Sequence, residues 1–185
     1  MTISPTRRQV TAWDSDAVAS FARGSDDVLV IERAWLPVVP GAIRAARLLD
    51  WRATVTVASA DARVTDALAA LSVDCPALAA DMVAVVQSFL AQFGAPEASL
   101  RVEVVSTASC PKFHCDNVRT RVVTTYHGPG TEYVFVTAPD RVCSAPTGAL
   151  IFLKGHQHPT HADAVLHRSP MVPPGEKRMC VVLDV

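Results

Sequence analysis

The chain has 185 residues, of which half are apolar and 19% are charged, and its formal net charge is −1. This composition supports one domain with a sizeable core and excludes a disordered chain. The near-neutral charge argues against a nucleic-acid partner, which requires a basic surface. We find no secretory signal after Met1, and no uncharged apolar run approaches the roughly 18 residues of a membrane helix. We therefore expect a cytoplasmic protein with no membrane partner.

The first half of the sequence predicts helices with two interspersed strands. Helices are expected at residues 14–23, 39–49 and 76–93, and strands at 28–31 and 53–57. The longest helix begins at Pro76, which suits a first helical position, and ends before Gly94, which suits a C-terminal cap. Its apolar residues recur at helical spacing, which predicts a stripe that faces the core.

From Leu100 onward the apolar residues alternate, which is typical of strands. Strands are predicted at residues 100–106, 117–126, 132–137, 149–154, 164–167 and 178–184, separated by turns rich in proline and glycine. This order predicts an α+β fold in a single domain of residues 1–185. Residues 99–185 would form a double-stranded β-helix of the jelly-roll or cupin type, and the helix-rich residues 1–98 would pack on it.

A candidate metal site combines His114 and Asp116 with the distant His167. Side chains alternate along a strand, so His114 and Asp116 point to one face and Cys115 points to the other. Two histidines and one carboxylate suit Fe(II), Mn(II) or Zn(II), and they leave positions free for a co-substrate and dioxygen. The alternative is that His114 is an ordinary hydrogen-bonded histidine and Asp116 a turn residue.

Arg178, at the start of the last strand, is the candidate for binding a co-substrate. An arginine inside a barrel requires an anionic partner, because a buried unpaired charge is very costly. A dicarboxylate such as 2-oxoglutarate would supply the anionic partner, because a carboxylate can form a bidentate ion pair with arginine. The alternative is an exposed arginine. Tyr126 is a second candidate for co-substrate binding, or else an aromatic residue of the barrel wall.

Two further arginines are candidates for contacts to the substrate or to the metal ligands. Arg121 shares a face with Arg119, and the two form either a solvated edge, which we favour, or a contact to an acidic substrate. Arg168 follows His167 directly and is expected to point away from the metal. No catalytic residue is predicted beyond the metal ligands.

The cysteines and the remaining histidines leave a zinc alternative open. Five irregularly spaced cysteines predict free thiols or metal ligands rather than disulfides. Cys110 and Cys115 could join His114 in a thiolate site for zinc, although there is no CxxC pair. The cluster of His156, His158 and His161 could also bind a metal, but solvated loop histidines are the favoured interpretation.

Residues 110–116 and 125–133, together with Val165-Leu166-His167-Arg168-Ser169-Pro170, resemble the signatures of the uncharacterised DUF1826 family. That resemblance also implies an association with zinc homeostasis. More distantly, the same stretches are similar to the prolyl 4-hydroxylase branch of 2-oxoglutarate oxygenases. This likeness implies that His114, Asp116 and His167 are the metal ligands and that Arg178 holds the co-substrate. The turn at residues 128–132 departs from the pattern of that branch.

The first functional hypothesis is an Fe(II)- and 2-oxoglutarate-dependent oxygenase that hydroxylates an unknown small molecule or protein side chain. The alternative is a non-catalytic Zn(II)-binding protein linked to metal homeostasis. A third possibility is a cupin-like isomerase or sugar-binding module that uses a metal without dioxygen.

Overall fold

A computed structural model describes residues 13–33 and 40–185, with Pro40 described by its backbone alone. Its elements in chain order are α1 (Ser15–Arg23), β1 (Val28–Ile31), α2 (Pro40–Ala45), β2 (Leu49–Val55), α3 (Ala60–Ala70), α4 (Pro76–Phe93), β3 (Ala98–Val105), β4 (Thr120–His127), β5 (Glu132–Phe135), β6 (Ala138–Ser144), β7 (Leu150–Lys154), β8 (Val165–Arg168) and β9 (Arg178–Asp184).

Two antiparallel sheets form the centre of the fold. The larger has six strands in the order β1-β7-β4-β9-β3-β2, and the smaller has three in the order β6-β5-β8. Strands β1 and β2, which come from the helix-rich half, pair with β7 and β3 of the second half. The chain is therefore a mixed α/β protein with antiparallel sheets, and both halves of the sequence build the large sheet.

The large sheet has a different partner on each face. On one face its alternate residues, such as Val102, Val122 and Val181, pack with the helices in the larger core. On the other face Val123, Ile151 and Val182 form a smaller core that includes Val165 of β8. Because side chains alternate along a strand, each central strand supplies both cores. The polar residues described below lie on the second face, between the two sheets.

Helix α4 is the principal core helix. Its predicted bounds are confirmed, with Pro76 in the first turn and Gly94 as a left-handed C-terminal cap. Within residues 13–33 and 40–185, it is also the one helix whose length and composition would allow it to cross a membrane. Its apolar stripe, which includes Met82 and Phe89, is buried in the larger core. That burial accounts for the apolar composition without a membrane.

Two elements were not predicted from the sequence, each for a physical reason. In addition, α2 ends at Ala45 rather than at Leu49, which instead begins β2. Helix α3 was not predicted, because it is rich in alanine and only Ala60, Val64, Ala67 and Leu68 are buried. Strand β6 begins at Ala138, where a turn was predicted from Pro139. It lies at the edge of the small sheet, where a proline without an N–H can be tolerated. The predicted start of the second helix, Val39, lies outside the described residues.

Candidate metal centre

A backbone bridge brings His114 and His167 side by side. The His114 N–H donates to the His167 carbonyl at 3.0 Å, and the His167 N–H donates to the His114 carbonyl at 2.9 Å. These two bonds join the segment around His114 to strand β8. The two imidazole centroids are consequently 4.6 Å apart. Residues 114–116, called the ligand segment below, thus lie beside β8 and extend the small sheet through the bridge at His114.

The three predicted ligands lie together. The Nε2 atom of His167 lies 2.9 Å from Oδ2 of Asp116, and Nε2 of His114 lies 3.6 Å from Oδ1 of the same carboxylate. One ligand atom from each residue lies within 4.8 Å of the others. Metal bonds of about 2.0–2.2 Å at right angles separate neighbouring ligand atoms by about 3 Å. These residues therefore fit a divalent ion with only small side-chain adjustments.

Hydrogen bonding gives His114 the tautomer that a metal requires. Its Nδ1 lies 2.8 Å from the carbonyl oxygen of Lys112. A carbonyl can only accept, so Nδ1 carries the proton and Nε2 presents a lone pair toward Asp116 and His167. A carbonyl partner of this kind also fixes the plane of a ligating imidazole.

The protonation states of the other two ligands also suit a metal at neutral pH. Burial raises the pKa of Asp116, but the hydrogen bond with His167 and the charge of Arg121 outweigh it and lower the pKa to about 2. Burial lowers the pKa of His167, and the bond to Asp116 only partly offsets this. Asp116 is therefore ionised and His167 neutral at pH 7. An ion that binds Nε2 of His167 would displace the hydrogen that this nitrogen donates to Asp116.

Arg121 anchors the carboxylate of Asp116. Its Nη1 pairs with Asp116, while its Nε and Nη2 donate to Asp184 at 2.6 and 2.8 Å. The favoured interpretation of Arg121 as part of a solvated edge was wrong, because these bonds hold it against β9. The other predicted role, a contact to the metal ligands, matches the geometry. Arg119, its neighbour two positions away, is exposed.

Arg178 points inward but already has an anionic partner within the chain. Its Nη1 lies 3.2 Å from Oε1 of Glu103, and both side chains are 2% exposed. Its remaining donors reach the carbonyl of Pro129 at 2.9 Å and the hydroxyls of Thr125 and Thr131. The inward position agrees with the sequence prediction. The inference that an inward arginine implies an absent anion does not hold, because Glu103 neutralises it.

One cavity connects the metal ligands with Arg178. It has a volume of about 50 Å³, and its lining includes His114, His167, Arg121, Glu103 and Arg178. Such a volume holds roughly three to five water molecules. A carboxylate that entered the cavity to bind Arg178 would meet Glu103, which already accepts from that guanidinium.

The cavity wall contains residues that the sequence analysis missed. Glu103 bonds to Arg101 on one oxygen and to Arg178 on the other, and it also accepts from Ser109 at 3.0 Å. The available signal in the sequence was a glutamate between two valines, Val102 and Val104, inside a predicted strand. Asp184, which holds Arg121, gave no comparable signal because it lies at the end of its strand.

Tyr126 does not belong to the site, which corrects its assignment to the co-substrate. It lies on the helix side of the large sheet and is 4% exposed. Its hydroxyl donates to Asp81 of α4 at 2.6 Å, and Asp81 also pairs with Arg33 at 2.7 Å. The reason is alternation, since Tyr126 is an odd number of positions from Arg121 and takes the opposite face.

Arg168 lies at the mouth of the cavity and away from the ligand atoms, as predicted. Its Nε donates to Glu132 at 2.6 Å, and its guanidinium lies 4.2 Å from the ring centroid of Phe113. These two contacts hold Phe113 close to the ligand segment. Arg168 is therefore a structural residue at the rim of the cavity, and its guanidinium contacts Glu132 and Phe113 instead of the ligand atoms.

The thiolate alternative at His114 is not formed. Cys110 lies 3.7 Å from Nδ1 of His114, but that nitrogen is bonded to a carbonyl, and Cys115 points to the opposite side. Cys180 is buried, and burial with the nearby Glu103 raises the pKa of its thiol to about 12. The interpretation of the loop histidines as solvated was wrong for two of them, since His158 and the side chain of His161 are buried.

Comparisons with known proteins show the family of the chain and a solved structure with a shared fold. A family model described as "Protein of unknown function (DUF1826)" matches residues 14–184, and the chain belongs to that family. No curated protein matches the sequence. Among solved structures, the dioxygenase for auxin oxidation (DAO) in rice is similar with a TM-score of 0.53 and 13% identity. The similarity covers 92% of this chain and 77% of that one, and it shows a shared fold.

Two other solved structures resemble smaller parts of the chain. JOX2, in complex with 2OG, Fe and JA, is 14% identical with a TM-score of 0.42, covering 59% of this chain and 42% of its own. The Fe(II) form of HppE is 16% identical with a TM-score of 0.35, covering 49% and 43%. This chain therefore spans less than half the length of these two proteins.

Proposed function

We propose that the protein is an Fe(II)- and 2-oxoglutarate-dependent oxygenase that hydroxylates a small molecule or a protein side chain. The observation that carries the proposal is the convergence of His114, Asp116 and His167. The two histidines line a cavity that also reaches Arg178. The fold shared with a rice dioxygenase supports it. We also propose that the two facing sheets are the double-stranded β-helix of that class.

In this proposal His114, Asp116 and His167 would hold the ion, and a set of two histidines and one carboxylate would leave it positions for other ligands. Iron(II), when bound, supplies the activation of dioxygen. Arg121 fixes the carboxylate of Asp116, and the Lys112 carbonyl fixes His114. Val123 and Val182 line the cavity and limit the access of water. The protein thus contributes binding, orientation and exclusion of solvent.

Arg178 would bind the distal carboxylate of 2-oxoglutarate, with the hydroxyls of Thr125 and Thr131 as additional donors. Glu103 has to leave Arg178 for this to happen, because both carboxylates would use the same guanidinium. Arg101 and Ser109 already bond the other oxygen of Glu103, so its charge keeps a partner after it turns away. Binding of the co-substrate and movement of Glu103 are therefore coupled.

The activity is tested by following dioxygen consumption with Fe(II) and 2-oxoglutarate in the absence of a hydroxylation substrate. With ascorbate present as the reductant, we expect slow uncoupled turnover, in which each 2-oxoglutarate and dioxygen yield succinate and carbon dioxide while ascorbate is oxidised and reduces the second oxygen atom to water. His167→Ala is expected to abolish this turnover because it removes a ligand. A matched control is His127→Ala, which alters a histidine of β4 that is not a predicted ligand. Equal succinate formation by the parent and His167→Ala would contradict the proposal.

A second candidate is a metal-binding protein without oxygenase activity. The observation that favours it is the Glu103–Arg178 pair, which fills the position of an anion within a cavity of about 50 Å³. If Glu103 never leaves Arg178, the three ligands still bind a metal such as Zn(II), but 2-oxoglutarate does not bind. Titration of the metal-loaded protein with 2-oxoglutarate separates the two candidates.

A further inference from the structure

We propose a second metal site, specific for Zn(II), in which Cys115, His156 and His161 are ligands and Asp163 occupies the fourth position. It lies on the opposite side of the ligand segment from Asp116 and involves none of the residues of the first centre. The proposal does not depend on oxygenase activity.

The candidate ligand atoms have the spacing of a tetrahedral zinc site. One donor atom each from Cys115, His156 and His161 lies within 4.8 Å of the others. The Sγ of Cys115 is 3.8 Å from Nε2 of His161. In a tetrahedral site with Zn–S of about 2.3 Å and Zn–N of about 2.0–2.1 Å, sulfur and nitrogen are separated by about 3.6 Å. The observed distance is close to this value.

Asp163 completes the set from the solvent side. Its Oδ1 lies 2.9 Å from Nε2 of His161 and 3.7 Å from Nδ1 of His156. The backbone of Asp163 is left-handed, with φ of 53°, a conformation that aspartate adopts more readily than most residues. Its side chain is 80% exposed and can adjust to an ion. One thiolate, two imidazoles and one carboxylate are all common zinc ligands.

His161 faces a buried carboxylate on the side away from Cys115. Its Nδ1 is buried without a hydrogen-bond partner among the described residues, and it lies 3.4 Å from Oδ1 of Asp27. Asp27 is held in place by the backbone N–H groups of Ala162 and Ala164. With a metal on Nε2, the proton of His161 must reside on Nδ1 and faces Asp27. Carboxylate–histidine–metal arrangements of this kind recur in zinc sites.

Backbone hydrogen bonds hold the loop that carries His156 and His161 against the ligand segment. The His156 N–H donates to the Asp116 carbonyl at 2.9 Å, and the Gln157 N–H donates to the Val118 carbonyl at 3.1 Å. Cys115 and His156 are therefore positioned before any ion binds.

The two centres differ in ligand chemistry and so in metal preference. The first has nitrogen and oxygen ligands in a set suited to iron, whereas the second includes a thiolate, which favours zinc. His114 and Asp116 face one centre, and Cys115 between them faces the other. Metal binding by a variant that lacks a ligand of one centre can therefore be compared with metal binding by a variant that lacks a ligand of the other.

Cobalt(II) substitution of the full chain tests the proposal. The parent should bind two cobalt ions and show thiolate-to-cobalt charge-transfer absorption, and Cys115→Ser should bind one and lack that absorption. Cys143→Ser, which alters a thiol on β6, should behave as the parent does. His167→Ala should retain the thiolate absorption, which separates this site from the first centre. Thiolate absorption of parental intensity in Cys115→Ser would overturn the proposal.

Alkylation of the parent gives a second measurement that needs no variant. Zinc should protect Cys115 from alkylation, as mapped on its peptide, while the exposed Cys110 continues to react. Equal modification of Cys115 with and without zinc would also overturn the proposal.

Discussion

The carboxylate of Glu103 lies 3.2 Å from the guanidinium of Arg178, and this buried pair lines the cavity that also reaches His114 and His167. Register explains the contact, since Glu103 on β3 pairs with Cys180 on β9, two residues from Arg178. The same guanidinium is the proposed anchor of 2-oxoglutarate. Glu103 is therefore expected to act as an internal competitor of the co-substrate.

Glu103→Gln should lower the folding stability of the protein without co-substrate. It should also increase the rise in Tm that 2-oxoglutarate causes. Breaking a buried ion pair costs about 3–5 kcal/mol, because one charge stays behind without its partner. A bound dicarboxylate would restore that partner. We expect 2-oxoglutarate to raise the Tm of the metal-loaded Glu103→Gln variant more than that of the parent, as measured by thermal unfolding.

Arg178→Met provides the matched comparison for this experiment. It removes the anchor but not the metal ligands, so metal binding should persist while the shift in Tm with 2-oxoglutarate disappears. An identical shift in the parent, Glu103→Gln and Arg178→Met would show that this pair has no part in co-substrate binding.

Arg121→Gln should weaken metal binding while leaving all three ligands in place. Arg121 bridges Asp116 and Asp184, and without it the ligating carboxylate loses its orientation. Because Arg121 orients a ligating carboxylate, we expect its loss to reduce metal affinity about 10–100-fold. Competition with a chromogenic chelator measures the change. Arg119→Gln, two positions away and exposed, should leave the affinity as it is; an equal loss in both variants would indicate a general effect of charge.

Tyr126→Phe should reduce stability and leave metal and co-substrate binding unchanged. The substitution removes the hydroxyl that donates to Asp81, and a hydrogen bond to a charged group contributes about 1.5–3 kcal/mol, although Asp81 keeps its bonds to Arg33. Urea unfolding measures the loss, and calorimetric titration with the metal measures binding. Weaker 2-oxoglutarate binding by this variant would contradict the prediction and would show that Tyr126 takes part in co-substrate binding.

The same tyrosine predicts a dependence of stability on alkaline pH. Burial and the charge of Asp81 raise the pKa of Tyr126 well above 10. Because the folded-state pKa exceeds the unfolded one, the contribution to stability is complete below about pH 10 and is lost as pH rises toward the folded-state value. We expect stability to fall more steeply above pH 10 in the parent than in Tyr126→Phe. Equal slopes for the two proteins would contradict this.

Gly155→Ala should disturb both metal centres. A Cβ at Gly155 would lie 2.2 Å from the Val118 carbonyl and 2.6 Å from that of Asp116, so the loop would have to move away. We expect weaker binding of both cobalt ions and a destabilisation of more than about 1 kcal/mol. Gly41→Ala, where a Cβ meets nothing within 4 Å, should be neutral or stabilising. A Gly155→Ala variant with parental metal content would show that the loop tolerates the shift.

Local alternation accounts for the parts of the site that the sequence predicted. The spacing of His114 and Asp116 places both on one face, and it also directs Cys115 to the other. The same rule could have excluded Tyr126, which is an odd number of positions from Arg121. The error came from grouping Tyr126 with residues of the opposite face.

The unpredicted parts depend on tertiary register. Glu103 meets Arg178 only because β3 and β9 are neighbours, although the two residues are 75 positions apart in sequence. The burial of His161 depends on Asp27, which comes from a different part of the chain. Neither contact has a local periodic signal. Strand β6 was missed because proline is normally a turn signal, and only its place at a sheet edge permits it.

The most direct test of the account is anaerobic titration of the apoprotein with Fe(II) and 2-oxoglutarate, followed by absorption spectroscopy. Chelation of iron by the co-substrate in a site of two histidines and one carboxylate should produce a visible metal-to-ligand charge-transfer band. The account predicts that this band appears in the parent at one iron per chain, persists in Cys115→Ser and is absent from His167→Ala. Iron binding to His114, Asp116 and His167 without any band on addition of saturating 2-oxoglutarate would contradict the proposed oxygenase.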